Sequence, residues 1–159
     1  MVVKILIFNL FFILISLSTV SFGKTIFGKA KVIDGDTIHI NKNKIRLHAI
    51  DAPETNQTCY KNSKVWNCGL ESTKFLKELI GNNKIECITQ GKDRYNRFIG
   101  ICYKDNLDLN SEMVLNGWAI AYRYYSKDYV EEEEKAKQKK RGIWIGDFVE
   151  PYLFRKKNK

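Results

Sequence analysis

The stretch IFGKAKVIDGDTIHINKNKIRLHAIDAP, residues 26–53, contains three apolar runs that are separated by turn-forming residues. Asp34-Gly35 is a strong turn signal after the first run, and the polar residues 41–44 separate the second run from the third. The predicted strands cover residues 26–33, 37–40 and 45–50. Because connections this short join antiparallel neighbours, we expect the three strands to form a meander.

The pattern of the remaining chain predicts two more strands and three helices. The strands cover 84–89 and 97–103, and the helices cover 69–80, 109–116 and a segment from near Ser126 to Gly142. The charge run of the last helix, acidic first and basic later, favours a solvated helix face. Five strands with a helix between the third and the fourth are typical of an OB-fold barrel. We therefore predict an α+β, mainly β, fold: a five-stranded OB-fold barrel with three helices.

The first 23 residues have the pattern of a signal peptide. Lys4 precedes a long apolar run, and small residues follow it at Ser21 and Gly23. An uncleaved membrane anchor is the alternative, although the run is about as short as an anchor can be. We expect one domain in residues 24–159 of an exported protein, either secreted or periplasmic, with an N-terminally anchored protein as the alternative.

The chain is strongly basic. It carries 27 Lys and Arg residues against 18 Asp and Glu residues, which gives a formal net charge of +9. Basic surface attracts polyanions and speeds encounter with them. Charge alone does not separate nucleic acid from an anionic membrane, so the class of partner has to be argued from individual residues.

The cysteines are even in number, and in an exported chain this suggests two disulfides. They are Cys59, Cys68, Cys87 and Cys102. Three pairings are possible. We favour Cys59 with Cys68, which closes a short polar loop, and Cys87 with Cys102, which lie in two predicted neighbouring strands. A zinc site is the alternative, but the spacing is not C-x-x-C and the chain has only two histidines.

Acidic residues follow two of the predicted strands and form a candidate metal site. Adjacent strands of a meander can bring Asp36 and Asp51 side by side, and two close carboxylates need a proton or a cation between them. Hard oxygen ligands favour Ca²⁺ or Mg²⁺. The carbonyl of Ala52 could be a third ligand, and Glu54 is close enough to hold a water. The alternative for Asp34 and Asp36 is a turn-forming role, which we favour for Asp34.

Two arginines are candidates for binding a phosphate group. Arg46 lies in an otherwise apolar strand, and Arg97 lies at the turn into the fifth predicted strand. Guanidinium groups match phosphate oxygens in bidentate fashion. An ion pair at the barrel surface is the alternative for each. Arg46 is five residues before Asp51, an odd offset that would put them on opposite faces of a regular strand, so we expect a bulge or bend between them.

Three segments together resemble the staphylococcal nuclease (thermonuclease) family. They are residues 33–37 (IDGDT), residues 46–54 (RLHAIDAPE) and residues 93–97 (DRYNR). Each segment alone is a modest signal, but all three in this order are highly specific. The resemblance extends from about residue 29 to residue 144, nearly the whole predicted domain.

The resemblance implies an OB-fold and a Ca²⁺-dependent phosphodiesterase that cuts DNA and RNA and leaves 3′-phosphates. It implies metal ligands at Asp36, Asp51 and the main-chain carbonyl of Ala52. It implies catalytic roles for Arg46, Glu54 and Arg97. The family often has Thr where this chain has Ala52, and since the ligand is the carbonyl, Ala should serve.

The resemblance also implies substrate contacts outside the cation site. They are a phosphate contact at Arg94 and nucleotide-contacting aromatic rings at Tyr95, Tyr122 and Tyr124. Stacking on bases tolerates any sequence, so little sequence preference is expected. Core packing is the alternative for the tyrosines. Asn96 replaces a common Gly and tolerates the same left-handed turn geometry.

The predicted function is that of an exported endonuclease with Ca²⁺ as cofactor and with DNA and RNA as substrates. We expect a monomer with no obligate protein partner, and membrane contact only if the signal segment stays uncleaved. The alternative function is a non-catalytic OB module that binds single strands. Such a module has no need of the complete set formed by Asp36, Arg46, Asp51, Glu54 and Arg97.

Overall fold

The computed structural model describes residues 23–158 of the chain. The predicted signal peptide, residues 1–23, therefore lies outside the described residues apart from Gly23. The strands are β1 (Thr25–Val32), β2 (Thr37–Ile40), β3 (Asn43–Leu47), β4 (Ile50–Asp51), β5 (Cys59–Lys61), β6 (Lys64–Trp66), β7 (Lys84–Lys92), β8 (Phe98–Lys104), β9 (Leu107–Asp108) and β10 (Ile120–Ala121). The helices are α1 (Cys68–Ile80), α2 (Leu109–Leu115), α3 (Val130–Gln138) and α4 (Pro151–Lys157), with a 3₁₀ turn at Gly142–Ile145.

Five strands close into a barrel. The antiparallel order is β3-β2-β1-β7-β8, and a parallel pairing between β3 and β8 closes the sheet on itself. The β2–β3 register places Thr37 opposite Arg46, and the β7–β8 register places Cys87 opposite Cys102. The predicted meander and the predicted OB-fold barrel are both confirmed.

The barrel interior is filled by aliphatic side chains that alternate along the strands. In β7, Ile85, Cys87 and Thr89 are buried while the residues between them are exposed, the two-residue period of a strand with one face on a core. Helix α1 adds Leu76 and Ile80 to the same core. Burying one such side chain contributes about 1.5–3 kcal/mol, so the barrel gives the loops at its end a rigid base.

The described residues contain four α-helices rather than the predicted three. Helix α4 begins with Pro151 in its first turn, where the missing N–H of proline costs nothing. Helix α3 begins at Val130 and not near Ser126, because the Ser126 hydroxyl accepts a bond from Asp128 N at 3.1 Å and stabilises a turn before the helix. Helix α3 also ends at Gln138, before Gly142.

The prediction of a solvated face for the charge run of α3 is wrong for Glu133. That side chain is 1% exposed. It accepts a hydrogen bond from Ala121 N at 3.1 Å and forms ion pairs with Arg123 and Lys137. Helix α3 is therefore tied to β10 through a buried carboxylate.

Both favoured disulfides are present. Cys59–Cys68 joins β5 to the start of α1, across a segment that we expected to be a plain loop and that contains the small β5–β6 hairpin. Cys87–Cys102 joins the neighbouring strands β7 and β8. Disulfides persist in oxidising compartments, which is typical of exported proteins. Within residues 23–158, every helix is too short or too polar to cross a membrane.

Candidate active site

The turn between β1 and β2 sets the position of Asp36. The Asp34 carboxylate accepts a hydrogen bond from Asp36 N at 3.0 Å, so Asp34 stabilises the turn as expected. Leu47 N then donates to Asp36 O at 2.8 Å, which fastens the turn to the end of β3. Burial, and then the neighbouring Asp36, raise the pKa of Asp34 to about 7. The turn therefore places acidic groups beside β3.

A bend after β3 brings Asp51 to the same place. Strand β3 ends at Leu47, and Ala49 adopts the left-handed region with φ 57° before β4 begins at Ile50. This conformation is uncommon for a residue other than Gly, and it resets the alternation of side chains. Arg46 and Asp51 consequently share one side of the chain despite their odd spacing, as the expected bend requires.

A single guanidinium joins the two candidate metal ligands. Arg46 Nη1 lies 2.6 Å from Asp36 Oδ1, and Arg46 Nη2 lies 2.7 Å from Asp51 Oδ1. The side chains of Asp36 and Asp51 are 4% and 0% exposed, so this pairing takes place out of water. A carboxylate from the β1–β2 turn and one from β4 therefore converge on one position, where positive charge is strongly favoured.

The electrostatics of this cluster follow from burial and mutual charge. Burial raises the pKa of Asp51, Asp36 raises it further, and bonds with Arg155 and Arg46 oppose the rise. Burial alone would lower the pKa of Arg46, but Asp36 and Asp51 raise it above its usual value. The guanidinium of Arg46 therefore stays charged between the two acids.

Glu54 lies beside Asp51 and is held by an arginine that sequence reasoning missed. Arg155 of α4 donates from Nη1 to Glu54 Oε1 at 2.9 Å and from Nη2 to Asp51 Oδ2 at 3.1 Å. Arg155 Nη1 also lies 2.8 Å from Asp51 Oδ1. Arg155 is about a hundred residues distant in sequence from both acids, and no local pattern could have found it.

Arg97 reaches the same cluster through one hydroxyl group. Arg97 Nη1 donates to Thr37 Oγ1 at 3.5 Å, and Thr37 Oγ1 donates to Asp36 Oδ1 at 3.0 Å. Asp93 orients Arg97, because its carboxylate accepts bonds from Arg97 N at 3.0 Å and Arg97 Nε at 2.8 Å. The five predicted residues Asp36, Arg46, Asp51, Glu54 and Arg97 thus form one connected cluster at the end of the barrel.

The loop before Arg97 carries two predicted substrate contacts at its surface. Tyr95 is 58% exposed, and Arg94 lies over its ring at 5.0 Å. Asn96 has φ 61°, the left-handed geometry for which a Gly or Asn was expected. Arg97 also lies 5.5 Å from the Tyr95 ring centre, so this loop joins the exposed aromatic ring to the cluster.

Of the two predicted aromatic contacts after β10, Tyr122 lies next to Asp51, and Tyr124 packs against Tyr122. Tyr122 N donates to Ala49 O at 2.8 Å, and burial together with Asp51 raises the pKa of Tyr122. Tyr124 is 82% exposed, which contradicts core packing for that ring. Tyr125, which was not predicted, packs edge-on at 5.2 Å from both rings. Tyr122 and Tyr124 line one end of an open groove of about 600 Å³.

The carboxylates of Asp36 and Asp51 fit a hard divalent cation if water and substrate provide most of its ligands. In the part of the chain that the structure describes, groups of three or more His, Cys, Asp or Glu residues arranged for a metal are absent. Asp36 and Asp51 would supply anionic oxygens to such a cation, and because Ca²⁺ takes six to eight oxygen ligands, water and substrate would have to supply several. The Ala52 amide N–H donates to Asp36 Oδ2 at 3.0 Å, and a ligand role for its carbonyl stays a prediction.

Comparison with known proteins agrees with this geometry. The family described as staphylococcal nuclease homologue matches residues 44–146. An uncharacterized endonuclease of Haemophilus influenzae is 35% identical over 98% of this chain and 87% of its own length. An uncharacterized endonuclease of Escherichia coli O157:H7 is 35% identical over 79% of this chain and 81% of its own length. A micrococcal nuclease of Shigella flexneri is 29% identical over 81% of this chain and 79% of its own length. The barrel, the acid–arginine cluster at its end and these similarities together establish that the chain belongs to the staphylococcal nuclease family.

Proposed function

We propose that this protein is an exported, Ca²⁺-dependent endonuclease that hydrolyses phosphodiester bonds in DNA and RNA. The observation that carries the proposal is the fork of Arg46, which bonds Asp36 and Asp51 at 2.6 and 2.7 Å in a buried position. Glu54 and Arg97 adjoin the same cluster. Membership in the staphylococcal nuclease family and the names of its relatives support the same activity.

In this proposal Asp36 and Asp51 hold the cation with the help of the Ala52 carbonyl. The bound Ca²⁺ supplies Lewis-acid polarisation of a phosphate oxygen. The two carboxylates are well suited to this, since they are buried and fixed by the β2–β3 pairing and by β4. Their separation from bulk water strengthens their attraction for a small cation.

Glu54 is the proposed base. Its side chain is 31% exposed, so water can reach it, and a carboxylate can orient a water molecule and accept its proton. Arg46 and Arg97 bind phosphate oxygens and stabilise the additional negative charge of the transition state. Loss of one such charged donor typically lowers the rate by about 10²–10³.

The tyrosines are the proposed base-stacking residues. Tyr95 and Tyr124 are exposed, and Tyr122 adjoins Asp51. Stacking carries little sequence information, so we expect cleavage with weak sequence preference and 3′-phosphate products. The basic net charge of the chain would attract the phosphate backbone, and Arg94 would contact it at this face.

The proposed export rests on residues 1–23 acting as a cleaved signal peptide, with one nuclease domain in residues 24–159. The two disulfides support an oxidising destination. A periplasmic or secreted monomer agrees with these features, and an N-terminal anchor is the alternative.

Nuclease assays with a matched variant test the proposal. The purified protein should cut plasmid DNA and RNA with Ca²⁺ and stop when EGTA is added. Glu54→Gln should keep nucleic-acid binding but lose at least about 10²-fold in turnover, as expected for a general base. Glu71→Gln removes the same charge from an exposed position of α1 and should cut like the unmodified protein. Binding without cleavage by the unmodified protein would instead support the non-catalytic single-strand module.

A further inference from the structure

Arg155 forms ion pairs with two acidic residues of the candidate site, Asp51 and Glu54. Its guanidinium lies within 2.8–3.1 Å of both carboxylate oxygens of Asp51 and 2.9 Å from Glu54 Oε1. Asp51 is fully buried, and the Arg155 side chain is only 30% exposed. Burial would lower the pKa of Arg155, but its bonds with Asp51 and Glu54 raise it.

These contacts use the same oxygens that a metal ion would need. Asp51 Oδ1 is bonded by both Arg46 and Arg155, and Asp51 Oδ2 is bonded by Arg155. A guanidinium and a divalent cation repel each other, so Arg155 and the cation compete for the oxygens of Asp51. Docking of Arg155 and binding of a cation at Asp51 are therefore coupled in opposite directions.

The element that carries Arg155 is built to move more easily than the barrel. Helix α4 has seven residues, and Tyr152 and Leu153 on it are 46% and 48% exposed. Its start is fixed by the buried Pro151, while the buried Gln57 bonds Val149 O at 2.7 Å just before the helix. Short, weakly packed helices open at low free-energy cost, whereas Arg46 lies in the closed barrel.

We propose that Arg155 is a tethered cation that competes with the divalent cation for Asp51 and Glu54, so that cation binding releases α4. This inference rests on the proposed function, because it takes Asp51 as a metal ligand. If Arg155 is docked in nine of ten molecules, the apparent affinity for the cation falls about tenfold. Release of Arg155 also frees Glu54 Oε1 to face a water molecule.

Calorimetric titration with Ca²⁺ alone tests the competition. Arg155→Gln should bind Ca²⁺ about tenfold more tightly than the unmodified protein. Lys156→Gln is the matched control: it removes the same charge from the next, exposed position of α4, and Lys156 has no ion pair within the described residues. Lys156→Gln should bind Ca²⁺ as the unmodified protein does. Arg155→Lys keeps the charge but not the guanidinium, so its Ca²⁺ affinity should lie between those of Arg155→Gln and the unmodified protein.

Hydrogen exchange of the unmodified protein provides a second readout that does not depend on any variant folding. Saturating Ca²⁺ should speed amide exchange in residues 152–157 and leave the barrel strands unchanged. Exchange in α4 that is unchanged or slower with Ca²⁺ would overturn the proposal. Unchanged or weaker Ca²⁺ binding by Arg155→Gln would do the same.

The two proposals fail in different ways. If Ca²⁺ binds with equal affinity to the unmodified protein and to Arg155→Gln while cleavage persists, only the competition is refuted. If Arg155→Gln loses cleavage at unchanged Ca²⁺ affinity, Arg155 binds the phosphate instead and the competition is again refuted. If neither protein binds Ca²⁺ and neither cuts nucleic acid, the proposed nuclease function fails together with the inference.

Discussion

Replacement of Arg46 by Met is expected to destabilise the protein and to inactivate it. The guanidinium is 14% exposed and neutralises two carboxylates that are 4% and 0% exposed. Removing one partner of a buried ion pair typically costs about 3–5 kcal/mol, because the other charge is left uncompensated. Arg155 still bonds Asp51 in the variant, so we expect the lower end, about 3 kcal/mol.

Urea unfolding at pH 7 in EGTA measures this loss, with Arg94→Met as the control. Arg94 is exposed, and surface substitutions of this kind usually change the free energy of unfolding by less than about 0.5 kcal/mol. Added Ca²⁺ should reduce the difference in unfolding free energy between Arg46→Met and the unmodified protein, because Asp36 and Asp51 then regain a counter-charge. Equal stability of Arg46→Met and Arg94→Met in EGTA would refute the shared-cation arrangement.

Three further predictions concern the parts that support the site. Glu133→Gln should destabilise the protein by about 2–3 kcal/mol at pH 7 in urea unfolding, because its partners Arg123 and Lys137 lose a buried counter-charge. Burial raises the pKa of Glu133, but its bonds with Arg123 and Lys137 lower it below its ordinary value on balance. The stabilisation is therefore present above about pH 4.5 and is lost as the pH falls below that value. A difference in unfolding free energy between Glu133→Gln and the unmodified protein that stays constant down to pH 3 would contradict the assignment. Tyr124→Ala should leave the melting temperature unchanged and weaken binding of single-stranded DNA by about 1–3 kcal/mol in fluorescence anisotropy, and undiminished binding would remove Tyr124 from the interface. Reduction of both disulfides should lower the free energy of unfolding by about 2–5 kcal/mol for each bond, and a melting temperature insensitive to reductant would contradict a stabilising role for them.

The features predicted correctly from sequence are those that depend on neighbouring residues. Short turns force consecutive strands to pair, so residues 26–53 predict the meander and the approach of Asp36 to Arg46. The bend that brings Asp51 alongside was expected from the odd spacing, although its cause, the left-handed conformation of Ala49, has no sequence signal. The pairing of neighbouring strands also predicts the Cys87–Cys102 disulfide, since the two residues lie opposite each other in β7 and β8.

The features that sequence reasoning missed depend on distant contacts. Charge patterning indicated an exposed face for α3, but Glu133 is buried because β10 supplies Ala121 N–H and Arg123 beside it. Pro151 is a sequence signal for the start of helix α4. The ion pair between Arg155 of this helix and Asp51, which connects the helix to the candidate site, has no such signal. Such pairings are set by how the chain folds back on the barrel, and residue spacing does not encode them.

The stoichiometry of Ca²⁺ binding tests most directly whether Asp36 and Asp51 share one cation. Calorimetric titration of the unmodified protein should show a single site, and Asp36→Asn and Asp51→Asn should each abolish it, along with cleavage of DNA in the same buffer. Ca²⁺ binding by either variant with the affinity of the unmodified protein, or cleavage that continues in EGTA, would contradict the account.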